Sequence, residues 1–335
     1  MRNILNNKRK TAFVIIFCFF VSLLFFTKII HRKPKLGIDY IEFLDEINDS
    51  LFQDGAYEMR RKHKAIFTGI TRDNGKDIPT MLAAFKEIGA KFKDYRIIIF
   101  ENDSSDNTLK LLKEAEASDN RIKIISQNFN LRKRPSIKFM ADIRNQYLRE
   151  IESKEYDDFD IVIVMDMDMQ YGVDPRAIEH SFSKIDRWEA VCSNGFFTYD
   201  GRMYDGFAFR NEEFPRGPNE LGTEWYWKKI VSKTQKIYPV TLDLIKATSC
   251  FGGMAIYQKD YIKGCRYDSI GEDCEHVKFN QCIIEKNGGR LYMNPAQMIR
   301  YDDNVFVHKP AFSLKKSINR SFKKFKKWCV RMISW

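Results

Sequence analysis

An aliphatic run that leads directly into two carboxylates is the feature that most constrains the fold of this chain. In the stretch IVIVMDMD, residues 161–164 are all aliphatic, and Asp166 and Asp168 follow them. A continuous aliphatic run is typical of a parallel strand that is covered on both faces, whereas a half-exposed strand alternates apolar and polar residues. In open α/β sheets, ligands bind beyond the carboxyl ends of such strands. The stretch therefore predicts a central strand that brings two aspartates to a binding edge.

Strand and helix patterns alternate along the first half of the chain. Short apolar runs predict strands at residues 65–69, 95–100, 121–126 and 160–165, and helical periodicity predicts helices at 78–92, 109–117 and 137–151. Such alternation indicates βαβ units and a largely parallel sheet. After residue 172, aromatic and glycine-rich runs such as AVCSNGFFTYDGRMY and CFGGMAIYQ predict strands and loops built over that sheet. The expected fold class is α/β, with a Rossmann-like, mostly parallel central sheet.

The net charge of +11 is concentrated at the two ends of the chain. Residues 1–35 and residues 311–335 each carry eight Lys or Arg and no acidic residue, which leaves residues 36–310 with a net charge of −5. A mildly acidic middle does not suit a groove for a phosphate backbone, so no nucleic-acid partner is expected.

An apolar segment near the N-terminus predicts a membrane anchor. Residues 11–27, TAFVIIFCFFVSLLFFT, are uncharged and just long enough to span a bilayer. A cleaved signal peptide is the alternative, but its apolar core is usually shorter and ends at a small-residue cleavage site, which does not follow here. Lys and Arg are balanced on the two sides of the segment, so only the layout, a short tail ahead of a large domain, favours a type II orientation. We expect a single-pass protein of the Golgi or ER membrane in a eukaryote, or of the inner membrane in a bacterium.

The expected organisation follows from these segments. A basic tail (residues 1–10) precedes the transmembrane anchor (11–30), a stem (31–62) and the α/β domain (63–310). Apolar residues at steps of three and four among lysines predict a basic amphipathic helix at residues 311–335, which either lies on an anionic membrane surface or packs on the domain. The six cysteines outside the apolar segment show no CxxC spacing, so they indicate no zinc site and leave disulfide pairing open.

Three further motifs accompany the aspartate pair. The turn ENDSSDNT follows the second strand, MADIRNQYL lies on the helix at residues 137–151, and GEDCEHVKF comes later in the chain. A DxD pair alone is a weak signal, because acidic pairs also occur in solvated turns and helix caps. Beyond a strand end, however, both carboxylates can reach one hard cation, and a diphosphate leaving group needs such a cation.

Taken in order, IFENDSSDNT, MADIRNQYL, VIVMDMD and GEDCEHVKF resemble the GT-A glycosyltransferases that use nucleotide sugars, over residues 64–310. The ENDSSDNT turn is similar to that of a branch that includes fungal capsule mannosyltransferases. The resemblance implies a GT-A fold and the transfer of a hexose, with mannose as one candidate, from a nucleotide diphosphate sugar to a glycan or lipid-linked acceptor. It also implies that Asp166 and Asp168 bind a manganese or magnesium ion.

The resemblance implies roles for residues after the first two strands. Thr68 and Arg72, after the first strand, and Glu101, after the second, are expected to contact the nucleoside. Asp103 shapes the turn after the second strand together with Asp106, for which capping of the next helix is the favoured role.

Other site residues come from the later motifs. Arg144 is expected to contact the nucleotide or diphosphate, with an exposed helix arginine as the alternative, and Asp166 is expected to contact the nucleotide sugar as well as the metal. His308 is preferred over His276 as a third metal ligand, although a single histidine is more often simply a polar residue.

GEDCEHVKF is expected to provide the general base of an inverting transfer, which takes the proton of the acceptor hydroxyl. Asp273 is the first candidate for this base and Glu272 the second. A charged helix start is the alternative interpretation, and in a retaining reaction Asp273 would bind the acceptor instead.

Two other classes of protein remain open. A phosphatase of the haloacid dehalogenase type would use Asp166 as its nucleophile, but its DxD motif normally opens the domain. A membrane-anchored carbohydrate-binding module would stack sugars on Trp188, Trp225 and Trp227. A sugar nucleotidyltransferase is disfavoured, because no glycine-rich phosphate loop follows the first strand.

Overall fold

The computed structural model describes residues 44–45, 47–131, 135–198, 201–217, 235, 237–269 and 273–301. These residues belong to one compact unit, residues 38–335. The predicted tail, anchor and C-terminal helix lie outside the described residues. Of the helices that the structure describes, none combines the length and the apolarity that are needed to span a bilayer.

Helices and strands alternate up to residue 197, and the remaining described elements begin at residue 245. They are α1 (Asp49–Lys62), β1 (Lys64–Thr71), α2 (Ile78–Gly89), β2 (Asp94–Asn102), α3 (Thr108–Ser118), β3 (Ile122–Gln127), α4 (Ile137–Ile151), β4 (Ile161–Met165), α5 (Pro175–Phe182), β5 (Ala190–Phe197), β6 (Ile245–Lys246), β7 (Met254–Gln258), α6 (Lys259–Ile262), α7 (Glu275–Glu285) and β8 (Leu291–Tyr301). Each element that was predicted up to residue 165 is present, with boundaries that differ by up to three residues.

The strands form one sheet in the order β3-β2-β1-β4-β7-β5-β8-β6. Strands β3, β2, β1 and β4 are parallel neighbours, and β8 is parallel to β5. Strand β7 is antiparallel to both β4 and β5, and β6 is antiparallel to β8. Because β7 is antiparallel to both of its neighbours, β4 and β5 run in the same direction, and β8 shares that direction. The carboxyl ends of β1, β2, β4, β5 and β8 therefore share one edge of the sheet, which we call the carboxyl edge.

Two apolar clusters cover the two faces of the sheet. Along β1, Ala65 and Phe67 face the cluster that includes α2 and α5, whereas Ile66 faces the cluster that includes α4 and α7. Every residue of β4 is buried, as expected for a strand with both faces covered. The α/β fold class with a mostly parallel sheet is therefore confirmed.

Helix α1 packs onto the domain, although its residues fall within the predicted stem. Phe52 and Met59 are buried. A Cβ on Gly55 would lie 1.7 Å from the carbonyl oxygen of Glu179 in α5, so the two helices are in backbone contact. The apolar face of α1 is thus a packing face, and the folded domain begins before residue 63.

Two disulfides join elements of the second half of the chain. Cys192 in β5 is bonded to Cys250, just before β7, and Cys265 is bonded to Cys282 in α7. Cys274 is a buried free thiol. The bonded cysteines are 58 and 17 residues apart, and no short spacing pattern marks such pairs, which is why the cysteine spacing left them open.

Candidate active site

Asp166 and Asp168 follow β4 at the carboxyl edge, as predicted. The backbone N–H of Asp166 donates to the carbonyl oxygen of Gly253 at 2.9 Å. Asp166 is only 20% exposed, whereas Asp168 is open to solvent. The first carboxylate is therefore anchored in the protein and the second is presented at the surface.

Three side chains surround the carboxylate of Asp166. The hydroxyls of Tyr204 and Tyr301 donate to its Oδ2 at 2.9 and 3.0 Å, and Arg144 Nη2 lies 3.9 Å from its Oδ1. Burial raises the pKa of Asp166 despite the guanidinium and the two hydroxyls, which act in the opposite direction.

Reduced hydration and a neighbouring negative charge both disfavour the ionised form of Asp168. Although the side chain is exposed, nearby protein atoms reduce its hydration, and this loss of hydration together with the charge of Asp166 raises the pKa of Asp168 to about 7. Two carboxylates in this relation favour a cation between or beside them.

The donor set of this pair suits a hard divalent ion, because both ligands are carboxylate oxygens. Within the described residues, no group of three or more His, Cys, Asp or Glu side chains could hold a metal. The aspartates would thus share the ion with oxygens of a diphosphate or water. His308, the preferred third ligand, and Glu272, the second candidate base, lie outside the described residues.

The loops after β1 and β2 are tied to each other. Asp73, at φ 50°, accepts a hydrogen bond from the backbone N–H of Ser105 at 2.6 Å, and Asp106 Oδ2 accepts one from the backbone N–H of Gly75 at 2.9 Å. The side-chain amide of Asn74 donates to the carbonyl oxygen of Met167, between the two aspartates of the pair. The predicted nucleotide-binding turn and the aspartate pair therefore form one continuous rim.

Thr68 does not reach this rim. It lies inside β1 opposite Val164 and is fully buried. The strand runs two residues further than predicted, to Thr71, so Thr68 is too early in the chain for the expected nucleoside contact. Arg72, which directly follows the strand, does lie at the edge, with its Nε 3.5 Å from Asp73 Oδ2.

Glu101 and Asp103 lie at the carboxyl edge, and protein groups engage their carboxylates. Glu101 is 1% exposed and accepts hydrogen bonds from the backbone N–H of Ser104 at 2.9 Å and from Ser126 Oγ at 2.6 Å. Asp103, at φ 53°, accepts one from the backbone N–H of Phe129 at 2.8 Å. In this structure both residues shape the turn, as Asp103 was expected to do.

Asp106 precedes Asn107, the N-cap residue of α3, and supports the helix start from that position, close to the capping role that was favoured for it. Its Oδ1 accepts a hydrogen bond at 2.9 Å from the backbone N–H of Thr108, the first residue of α3. A side-chain oxygen thereby satisfies one of the free N–H groups at the helix start.

Arg144 is 4% exposed, so the alternative of an exposed helix arginine is wrong. Its Nε donates to Glu275 Oε1 at 2.9 Å, and its Cζ lies 5.4 Å from the ring centroid of Phe251. The guanidinium bridges the carboxylates of Asp166 and Glu275 and so links the aspartate pair to the start of α7.

Asp273 lies two residues before α7. Its Oδ1 accepts hydrogen bonds from Arg210 Nη2 at 2.9 Å and from the backbone N–H of Cys274 at 2.8 Å. Its Oδ2 accepts no hydrogen bond from any described residue, and 17% of the side chain is exposed. Protein donors therefore fix one oxygen of the predicted base, Oδ1.

His276 and Trp188 are core residues. The His276 ring stacks on Phe251 with centroids 4.1 Å apart, and burial lowers the pKa of His276 well below its ordinary value. Trp188 is fully buried and donates its Nε1–H to the carbonyl oxygen of Ser181, so it cannot stack on a sugar. His276 belongs to no metal-binding group in the part of the chain that the structure describes. Trp225 and Trp227 lie outside that part.

Sequence reasoning missed four side chains around the site. Tyr204 and Tyr301 contact Asp166, Arg210 holds Asp273, and Glu275 pairs with Arg144. Only Glu275 had a local signal, since it belongs to the GEDCEHVKF motif.

A mostly parallel α/β sheet with an aspartate pair after its fourth strand and a carboxylate at a late helix start defines a nucleotide-sugar glycosyltransferase of the GT-A class. The chain belongs to the family described as Cryptococcal mannosyltransferase 1, whose model matches residues 65–287. This membership confirms the resemblance that the sequence motifs carry. No curated protein matches the chain.

Solved structures with similarity to the chain include two complexes with a nucleotide sugar. TarS 1-349 of S. aureus in complex with UDP-GlcNAc is 13% identical, with a TM-score of 0.41 over 71% of this chain and 58% of that chain. The mannosyltransferase PcManGT of Pyrobaculum calidifontis in complex with GDP-Man and Mn2+ is 12% identical, with a TM-score of 0.43 over 78% of this chain and 68% of that chain. The chain thus spans less than two thirds of the length of TarS 1-349.

Proposed function

We propose that this glycosyltransferase is metal-dependent and moves a hexose, with mannose as the first candidate, from a nucleotide diphosphate sugar to a glycan or lipid-linked acceptor. The observation that carries the proposal is the unequal aspartate pair, in which Asp166 is held by protein donors and Asp168 is presented to solvent. The family model that matches residues 65–287, described as a mannosyltransferase, supports the choice of sugar.

Asp168 and Asp166 would hold a manganese or magnesium ion. When bound, such an ion neutralises the negative charge of a leaving diphosphate. Asp168 offers its carboxylate to the ion, while Arg144 and the tyrosine hydroxyls keep Asp166 in place. The tied loops after β1 and β2 would form the adjacent wall for the nucleoside, with Arg72 at their rim.

Asp273 would act as the general base through Oδ2, the oxygen opposite the one that Arg210 holds. A general base must lie within hydrogen-bond reach of the hydroxyl that it deprotonates, and Arg210 fixes Asp273 by the opposite oxygen. In a retaining reaction the same oxygen would accept a hydrogen bond from the acceptor.

The two disulfides support a lumenal or extracytoplasmic domain, because disulfides persist mainly in oxidising compartments. Together with the predicted anchor at residues 11–30, they favour a type II membrane protein whose acceptor is a glycan or a lipid-linked glycan on that side of the membrane.

The test is the thermal stability of the full chain in detergent with GDP, UDP or CMP, each with and without Mn2+. A ligand at 100 times its Kd stabilises the folded state by about 2.7 kcal/mol. We expect one nucleotide to raise the Tm only when Mn2+ is present, and Asp168→Asn to abolish the rise. The matched control is Asp158→Asn, since Asp158 is an exposed aspartate just before β4, at the edge of the sheet opposite the carboxyl edge.

Three results would contradict the proposal. Stabilisation without metal, or in Asp168→Asn as in the control, would remove the metal role from the aspartate pair. A flat response of the folded chain to all three nucleotides would exclude donors that carry these nucleotides.

A further inference from the structure

We propose that Tyr204 and Tyr301 are positioning residues that clamp Asp166 in the orientation the metal site requires. The inference rests on the proposed metal-dependent function and extends it to two side chains that neither the sequence motifs nor the family match assigns.

The two tyrosines form a stacked pair over one carboxylate oxygen. Their ring centroids are 3.4 Å apart and their planes differ by 10°. Both hydroxyls donate to Asp166 Oδ2, from Tyr204 at 2.9 Å and from Tyr301 at 3.0 Å. Hydrogen bonds to an ionised acceptor are stronger than neutral ones, so this geometry favours a single orientation of the carboxylate.

The backbone around the pair leaves room for both rings. A Cβ on Gly253, which has a φ of 90°, would lie 2.8 Å from the Tyr301 hydroxyl. The backbone N–H of Tyr204 donates to the carbonyl oxygen of Gly195 at 2.7 Å, and a Cβ on Gly195 would lie 2.4 Å from the carbonyl oxygen of Gly252. Glycines at these positions therefore permit the approach of β5, β7 and β8 that brings the tyrosines to Asp166.

The two carboxylate oxygens of Asp166 have different partners. Oδ2 receives both hydroxyl donors, while Oδ1 faces Arg144 Nη2 at 3.9 Å and accepts no hydrogen bond from the described residues. Rotation of the carboxylate would break both hydroxyl contacts, so Oδ1 stays the oxygen that a cation or donor sugar can use. Outer partners of this kind orient metal ligands and set metal affinity.

The experiment is an Mn2+ titration of the full chain in detergent, with GDP or UDP held at a fixed concentration and the Tm as the readout. The variants are Tyr204→Phe, Tyr301→Phe and the double variant, which remove only hydroxyl oxygens. Loss of outer-shell partners typically weakens metal binding about 10- to 100-fold, so the double variant should raise the Mn2+ midpoint by that factor. Each single variant should raise it less, because the remaining hydroxyl still holds Oδ2.

The control is Tyr257→Phe, since the Tyr257 ring is fully buried and its hydroxyl makes no hydrogen bond to Asp166 or Asp168 in the described part of the chain. This variant should leave the midpoint unchanged. If the tyrosines serve stability alone, their variants will lower the Tm without metal and keep the wild-type midpoint, which overturns the proposal. If the double variant does not fold, the single variants decide the question by the same criterion.

Failure of the clamp differs from failure of the proposed function. If the wild-type chain shows Mn2+-dependent stabilisation and the tyrosine variants match its midpoint, only the clamp is refuted. If the wild-type chain shows none with either nucleotide, the metal-dependent function is refuted and the clamp with it.

Discussion

The two disulfides should differ in their contribution to stability, because they close loops of different length. The bonded cysteines are 58 residues apart for Cys192–Cys250 and 17 apart for Cys265–Cys282. If a disulfide acts by restricting the unfolded chain, these loops correspond to about 4 and about 3 kcal/mol at 25 °C. We therefore expect the first disulfide to contribute about 1 kcal/mol more than the second.

Reduction of variants that keep one disulfide isolates each bond. In Cys265→Ala/Cys282→Ala, a reductant breaks only the Cys192–Cys250 bond, and in Cys192→Ala/Cys250→Ala it breaks only the other. The free energy of unfolding from urea titration, with and without reductant, gives the contribution of each bond without the cavity that an alanine leaves. The variant that lacks both disulfides is the control and should not respond to reductant.

The same variants also show whether each disulfide supports the proposed metal site. Cys250 lies three residues before Gly253, whose carbonyl oxygen accepts the backbone N–H of Asp166. Breaking the Cys192–Cys250 bond should therefore raise the Mn2+ midpoint in the nucleotide titration, whereas breaking the other bond should change it little. The reasoning is refuted if the shorter loop contributes more, or if both reductions shift the Mn2+ midpoint equally.

Two further predictions concern helix α5. Burial lowers the pKa of His180 to about 4, so below pH 6.5 the unfolded chain binds more protons than the folded chain. The free energy of unfolding should therefore fall by up to roughly 3 kcal/mol from pH 6.5 to 4. Urea titrations of His180→Gln should show a weaker fall. A fall of the same size in that variant would assign it to other groups. Gly55→Ala should lower stability by about 1–3 kcal/mol despite the better helix propensity of alanine, because the new Cβ would overlap the carbonyl oxygen of Glu179. Gln53→Ala, at an exposed position of the same helix, is the control and should be nearly neutral. A neutral result for Gly55→Ala in the same titrations would refute the backbone contact between α1 and α5.

Local patterns determine the part of the fold that the sequence predicts well. The βαβ half is readable because each strand and helix has its own periodicity, and α4 begins and ends at the predicted residues. The end of β1 was placed too early because Ile70 and Thr71 are followed by a polar loop that gives no sharp boundary. That shift of two residues is enough to move Thr68 from the expected rim into the core.

The missed part of the site depends on long-range pairing. Tyr204 and Tyr301 are 38 and 135 residues from Asp166, and they reach it because β7 lies between β4 and β5 and β8 adds beside β5. No periodicity in one segment encodes that strand order. Arg144 shows the same limit, since its helix was predicted correctly but its partner Glu275 is 131 residues away.

The aliphatic strand is followed by two charges because buried and more exposed residues alternate after its last residue. Met165 pairs with Met254 inside the sheet, and Met167, between the aspartates, is 2% exposed and packs in the core. Met167 and Asp168 lie in a turn after β4, and burial of the Met167 side chain leaves the aspartates on either side of it at the edge. Asp166 is close enough to the sheet to be held by protein donors, and Asp168 is far enough to meet solvent. The spacing of the pair follows from this geometry, in which an apolar middle residue holds the turn and each carboxylate has a different task.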